Sequence, residues 1–411
     1  MTDFIVGSPA RDGDFCFREE FLKDLWEALE KHNILLIAPR RTGKTSVMYR
    51  MLDQPRESWI VMHLNVEDLK TPGEFIISLI DAINEHQPAY LKNILAKGWA
   101  FINDIFSCIE CVEISDFKIQ LRKKENPEKR WQDRGNELIE RIIESNERVL
   151  FIIDEFPDML NSMHGVSRED FDTFLHWFRK VRDRSLKHNL RWLIGGSVNL
   201  IAALDQQGMV KQVNDLKSEP LPPFTNEEIT TFVSRMLKDR NVRFDDTVIP
   251  RIDELLGAPI PLFLQMLTQE LYRLWKRDKA RTMTANEVDE VYNKSLLGEM
   301  ARDKLQHYRS RIDVHYQEDR EAACHFLGKL SLSDTGLSYG ALFQFYTQIE
   351  ARRTAPRTGP ALSQAFQRLM LHLQSDFYIE ARTDNSFDFA SRLLKNWWKK
   401  YFSYESENFP K

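Results

Sequence analysis

The sequence predicts a three-layer α/β core built on a parallel sheet, then an all-helical segment, then a mixed C-terminal segment. Three observations predict this. Short apolar runs alternate with long amphipathic stretches over the first half of the chain, as in a parallel sheet covered by helices. The strand pattern fades after Pro223. Two short strand-like pieces return only near the C-terminus, with turn residues between them. At 411 residues the chain is long enough for two to three domains of roughly 100–200 residues each. The 57 basic residues against 62 acidic ones give a net charge of −5, which argues against a surface coated for nucleic acid. Four cysteines in this length make no disulfide framework and suit a reducing compartment. The longest apolar runs are far too short to cross a bilayer, and the first fifteen residues lack the pattern of a secretory signal. A cytoplasmic protein with no membrane association is the expectation.

Asn33 to Ile37, Trp59 to Leu64, Val149 to Ile153 and Arg191 to Ile194 read as buried strands, with a weaker fifth around Glu219 to Leu221. Helix starts are marked by capping residues. Thr71-Pro72-Gly73-Glu74 sets an N-cap threonine, a proline at the first helical position and a glutamate at the third. Ser167, Thr225 and Thr284 open similar signatures. From Asn226 to about Met300 the pattern is helical, broken at Gly257-Ala258-Pro259-Ile260-Pro261. Phe377 to Ala381 and Phe387 to Phe389 flank Thr383-Asp384-Asn385 and read as a hairpin.

The strongest chemical signal lies after the first strand. Ala38-Pro39-Arg40-Arg41-Thr42-Gly43-Lys44-Thr45-Ser46 joins that strand to a helix, the setting of a phosphate-binding P-loop. Gly43 lets backbone N–H groups curl around a phosphate, and the following helix turns its positive end toward the anion. Lys44 reaches the β- and γ-phosphates, and the Thr45 hydroxyl can ligate Mg²⁺. Ala38 replaces the usual first glycine, which is tolerable if its φ is negative. A second signal is Asp154-Glu155-Phe156-Pro157 at the end of a buried strand. Asp154 would hold the Mg²⁺ shell, and Glu155 would orient and deprotonate an attacking water.

Other residues carry two readings each. Ser197 or Asn199, after Gly195-Gly196, could bond the γ-phosphate or the lytic water, or simply form a turn and helix cap. Arg179, Arg182 and Arg184 end a helix. On the residues alone they read as a solvated basic helix end. Cys108-Ile109-Glu110-Cys111 lacks two further ligands nearby, so buried small residues are favoured over zinc or redox chemistry. Arg352, Arg353, Arg357, Arg368, Lys395, Lys399 and Lys400 punctuate the C-terminal segment around Trp397-Trp398. Adjacent tryptophans on a helix leave two readings: one packing anchor beside one partner contact, or a plain hydrophobic helix with a solvated basic side. The second is favoured.

Together these residues resemble the AAA+/STAND superfamily of P-loop ATPases, most of all the archaeal-type group related to origin-recognition ATPases. Phe4 to Pro9, including Gly7, and Asp14 to Glu19 look like the opening pattern that folds over adenine. Ser197 looks like a first sensor. Similarity to AAA+ ATPases, in which an arginine near this point reaches a neighbouring subunit's γ-phosphate, gives Arg179, Arg182 and Arg184 their other reading. Gly257 to Gln265 resembles the lid motif, with Pro261 near the nucleotide. Ala322 to Phe402 looks similar to a winged helix. The resemblance implies a nucleotide-flanking segment (1–30), a P-loop ATPase core (31–223), a helical lid (224–300) and a winged-helix-like domain (301–411). It implies ATP and Mg²⁺ as cofactors and an ATP-binding switch with slow hydrolysis. The lid motif lacks an arginine, which favours the STAND-like branch. A nucleotide-gated DNA-binding protein and an ATP-stabilised protein scaffold are the alternatives. Self-association or a protein partner is expected, with weak DNA binding, because the candidate wing carries Asp376, Glu380, Asp384 and Asp388 against Arg382 alone.

Overall fold

Burial on both faces dictates near-continuous apolar strands, and the strands form where such runs occur. The structure is a computed structural model. It describes residues 4, 7–11, 15, 17–38, 41–87, 89–90, 109–112, 120–123, 131–196, 204, 208–222, 224–258, 260–298 and 302–407. In chain order the first strands are β1 (Ile34–Ile37), β2 (Trp59–Asn65), the small antiparallel pair β3 (Ile109–Val112) and β4 (Gln120–Lys123), β5 (Arg148–Asp154), β6 (Leu190–Gly196) and β7 (Lys217–Pro220). Five of them form one parallel sheet in the order β2-β5-β6-β1-β7. The central β6 is buried along its whole length, and β5 along all but its first residue. β7 lies two residues earlier than its sequence suggests. Its residues, Lys-Ser-Glu-Pro, are mostly exposed at the sheet edge, so no hydrophobic pattern marks it. Pro220 is tolerated there because an edge strand does not need its N–H.

The surrounding helices are α1 (Glu19–Leu29), α2 (Lys44–Asp53), α3 (Pro72–His86), α4 (Trp131–Glu144), α5 (Phe156–Val166) and α6 (Arg168–Ser185). Thr71 forms the full capping box with Glu74, and Ser167 caps α6 by accepting from the Asp170 N–H. Rings from α3, α4 and α6 fill one side of the sheet, with Phe75 5.0 Å from Phe174 and Trp131 5.3 Å from Trp177. At the opposite sheet edge from the strand tips, the Arg191 guanidinium donates to the Leu29 and Glu30 carbonyls, the orphaned acceptors at the end of α1.

The chain divides into two compact units. One comprises Arg18 to Ala38 and Lys44 to Leu221, and holds the five-stranded sheet. The other gathers the N-terminal segment up to Phe17, the loop residues ending at Gly43, and everything from Pro222 onward. The expected N-terminal segment of residues 1–30 is thus parted at Phe17. In the second unit, α7 (Asn226–Lys238), α8 (Val248–Leu256), α9 (Pro261–Arg277) and α10 (Ala285–Val291) follow one another, with capping boxes at Thr225 and Thr284. Gly257 ends α8 in the left-handed conformation, and Pro261 opens α9.

The remainder reads α11 (Arg302–His315), α12 (Arg320–Leu332), β8 (Leu337–Ser338), α13 (Tyr339–Glu350), α14 (Gly359–Ser375), β9 (Ile379–Ala381), β10 (Ser386–Phe389) and α15 (Arg392–Phe402). β9 and β10 form the expected hairpin, and the unforeseen two-residue β8 completes a sheet in the order β8-β10-β9. One apolar cluster runs from Phe224 to Trp398, so the helical segment and the C-terminal segment share a core. Ser391 Oγ donates to the Leu256 carbonyl at 3.0 Å, and Lys400 Nζ to the Leu297 carbonyl at 2.7 Å. Trp397 and Trp398 are both buried, sharing one face of α15 with Leu393 and Leu394, while Arg392, Lys399 and Lys400 stay exposed. This is the plain hydrophobic helix with a solvated basic side, and the partner-contact reading of one tryptophan is corrected. Trp398 meets Tyr378 and Phe389, while Trp397 meets Tyr401 and Phe402.

Candidate functional site

Parallel register brings the strand tips together. Asn65 of β2 pairs with Asp154 of β5, Ile153 of β5 with Ile194 of β6, and Gly196 of β6 with Ile37 of β1. The C-terminal edge of an open parallel sheet is where such folds bind ligands. β1 leads into the loop there, and α2 begins at Lys44 itself. Arg41 and Gly43 adopt positive φ, 69° and 98°, whereas Ala38 keeps a negative φ and is buried. Gly43 has open space where a side chain would lie, so its requirement is conformational.

Lys44, Thr45 and Asp154 form one cluster. Lys44 Nζ lies 3.3 Å from Asp154 Oδ1, and Thr45 Oγ1 donates to Asp154 Oδ2 at 2.7 Å. The Glu155 N–H donates to Asp154 Oδ1 at 3.0 Å. Asp154 is only 3% exposed. Burial alone would raise its pKa, but the Lys44 ammonium, the Thr45 hydroxyl, His63 and the Glu155 N–H outweigh it and hold the pKa below the ordinary aspartate value. The group is therefore an anion at neutral pH. A hydroxyl and a carboxylate side by side are the hard oxygen donors that Mg²⁺ takes when phosphates complete its shell, so the residues present fit that ion.

Glu155 sits at φ 57°, left-handed for a residue with a side chain, and caps α5. Such a conformation costs about 1–3 kcal/mol and concentrates at functional sites. Gly195 was visible in the sequence only as a small residue at a strand tip. A Cβ there would lie 2.8 Å from Asp154 Oδ1 and 2.6 Å from Met48 Cε, so the glycine makes room for the carboxylate. His63 also lacked any motif, yet it contributes positive potential to Asp154 from the flanking strand.

Other expected site residues are dispersed. Ser46 is half-buried in the first turn of α2, and Thr42 is buried. In the second unit Gly7 and Pro9 are exposed, and Arg41 Nη1 donates to the Gly7 carbonyl at 3.4 Å. Pro261 is half-buried at the start of α9. Pro39, Arg40, Ser197, Asn199 and Pro259 lie outside the described residues, as do Cys16 and Cys108. The reach of Arg182 toward a neighbouring subunit is corrected: its side chain is fully buried, forked onto Asp215 at 2.8 and 2.9 Å and bonded to the Gln212 carbonyl. Arg184 pairs with Glu140 at 2.9 Å. Arg179 remains about one-third exposed, bonded to the Lys211 carbonyl. Burial pushes the Cys324 thiol up to about 12, so it is inert.

The basic residues of the C-terminal segment are largely engaged within it. Glu350, 1% exposed, is held by Arg353 and by both ends of the Arg357 fork, and Arg357 also reaches Asp319 at 3.1 Å. Asp388, fully buried, takes Arg382 and Lys395. Among the described residues no helix is long and apolar enough to cross a membrane.

Comparison with known proteins bears on the family and the fold. The family described as Novel STAND NTPase 1 matches residues 8–302. No curated protein matches the sequence. Among solved structures, a Walker-type ATPase of Pyrococcus abyssi superposes with a TM-score of 0.61 at 16% identity, covering 96% of this chain and 99% of that one. The ORC2 protein of Aeropyrum pernix, in ADPNP–ADP complexes, gives 0.59 at 13% identity, covering 98% and 96%. At these identities the structures establish a shared α/β P-loop NTPase fold.

Proposed function

The chain belongs to the novel STAND NTPase 1 family of nucleotide-binding NTPases, and on that premise we propose that it is an ATP-binding switch with slow, Mg²⁺-dependent hydrolysis. The observation that carries this reading is the Lys44–Thr45–Asp154 cluster at the strand tips. Lys44 holds the β- and γ-phosphates, and Thr45 and Asp154 hold Mg²⁺, which when bound neutralises phosphate charge. Glu155 takes the proton from water. Its φ of 57° is a conformation that a relaxed helix cap would not adopt. Arg179 is the remaining candidate for a contact to a second subunit.

The read-out belongs to the second unit. Residues 224–300 serve as lid and residues 301–411 as a winged helix, with α12, β8, α13, α14, β9 and β10 in the order of that motif. Their shared core supports movement as one body rather than as separate parts. Internal pairing of Arg353, Arg357, Arg382 and Lys395 leaves little charge for phosphates of a duplex, so a protein partner is the favoured target. Steady-state phosphate release tests the reading. It should require Mg²⁺, be indifferent to duplex DNA, and fall about a hundredfold in Glu155→Gln while ATP still binds. Equal turnover by Glu155→Gln and the parent would remove Glu155 from the chemistry.

A further inference from the structure

A cleft of about 850 Å³ lies within the helical part of the second unit, between α7, the loop 239–247 and α8. That is the size of an ordinary ligand site. One wall follows α7, where Asn226, Thr230, Ser234 and Lys238 recur at four-residue spacing and so share a face. At 1.5 Å per residue this stripe is about 18 Å long. The floor is apolar. Ile229 and Val242 belong to the buried core, and Phe244 and Ile249 pack on it with part of their surface open. The Met283 N–H donates to the Arg243 carbonyl at 2.8 Å, and the Asp245 N–H to the Met283 carbonyl at 3.0 Å, which holds the loop in place. Charges of both signs line the cleft without neutralising one another. Among the described residues, the side chains of Lys238, Arg243, Asp246 and Asp253 form no ion pair or hydrogen bond. Neighbouring charges behave differently: Arg251 takes Asp289 at 2.7 Å, and Arg281 takes Glu287 at 2.7 Å. Charges beside the cleft are paired, and charges lining it are open.

We propose that this cleft binds an extended segment of a partner protein, about five residues long, in which an apolar side chain is flanked by acidic and basic ones. The inference rests on the expectation of a protein partner and is independent of nucleotide, because every lining residue belongs to the second unit. An extended chain advances about 3.3 Å per residue, which matches that segment to the length of the stripe. Asn226, Thr230 and Ser234 offer amide and hydroxyl groups to its peptide groups, which need partners once they leave water. The apolar floor takes the central side chain. Lys238 and Arg243 take a carboxylate, and Asp246 and Asp253 take an ammonium or guanidinium. Exposed pairs contribute little each, so the mixed signs select the partner more than they hold it. A nucleic acid would meet two carboxylates here, and a free amino acid is far shorter than the stripe.

The test pans the full chain against a phage-displayed library of random hexapeptides, then titrates the selected peptides, synthesised with a fluorescent label, by anisotropy. Selected sequences should carry an acidic and a basic residue beside Leu, Ile or Phe. Arg243 is exposed, so Arg243→Glu opens no cavity. That variant should bind the peptides about tenfold more weakly, and replacing the peptide's acidic residue by lysine should restore its affinity. Asp253→Asn keeps the shape and should weaken binding about threefold. Added salt should shrink both effects. Selection of no sequence, peptides indifferent to both substitutions, or displacement of the peptide by free leucine or by a DNA duplex overturns the proposal. Calorimetry of the same preparation with Mg²⁺-ATP keeps the two readings apart. ATP binding without peptide binding strikes the cleft alone, and peptide binding without ATP binding strikes the nucleotide site alone.

Discussion

The strand tips of the first unit and the C-terminal segment of the second use charge in opposite ways. At the strand tips Asp154 is buried beside Lys44 and Thr45, the groups that the proposed phosphate and Mg²⁺ would engage. Backbone strain at Glu155 and the missing side chain at Gly195 preserve that arrangement rather than relax it. In the C-terminal segment, Glu350 and Asp388 are equally buried, yet each is saturated by arginines and lysines of its own segment. On the proposed reading the first pattern holds charge for a ligand, whereas the second uses charge to fix a fold. Counting basic residues therefore says little about nucleic acid until their partners are known.

Each substitution below sharpens that contrast, beginning with the largest effect. Lys44→Ala should weaken ATP binding at least about a thousandfold with a smaller loss of stability than Arg357→Ala, because Asp154 keeps its Thr45 and Glu155 donors. A large loss of thermal stability instead would place Lys44 with the structural charges. Arg357→Ala should do the reverse. Breaking a buried pair costs about 3 kcal/mol, read by chemical denaturation, while ATP affinity stays within about twofold of the parent. A neutral effect on stability would mean that Arg357 is held for a ligand.

Gly195→Ala has the smallest expected effect. The new methyl group meets the Asp154 carboxylate and Met48, and the flexible methionine can yield more easily than the anchored aspartate. A cost of about 1–2 kcal/mol is expected, appearing as weaker Mg²⁺-dependent ATP affinity in calorimetry. If Mg²⁺-free binding weakens equally, the glycine serves packing alone.

The sequence made the sheet and the loop legible because both are written in local pattern. β5 is a continuous apolar run ending in Asp154, and Gly43-Lys44-Thr45 follows a strand directly. β7 escaped accurate placement because an exposed edge strand carries no such run. Arg182 looked like an exposed helix-end arginine, and only its distant partner Asp215 reveals a structural ion pair. Trp397 and Trp398 share the single buried face of α15 with Leu393 and Leu394, so helical periodicity admits both to the core and the solvated basic side read from the sequence is what forms. The closeness of Gly195 to Asp154 depends on elements far apart in sequence and left no motif to read.

The contrast between the two regions is tested most directly by titrating the same preparation with Mg²⁺-ATP and with a labelled duplex at near-physiological salt. Calorimetry should give saturable ATP binding that Lys44→Ala removes. Fluorescence anisotropy should show no duplex binding tighter than about 10 μM, as expected where few phosphates are neutralised. Submicromolar duplex affinity in the presence of ATP would contradict this, and would mean that the C-terminal charges are available to a nucleic-acid ligand after all.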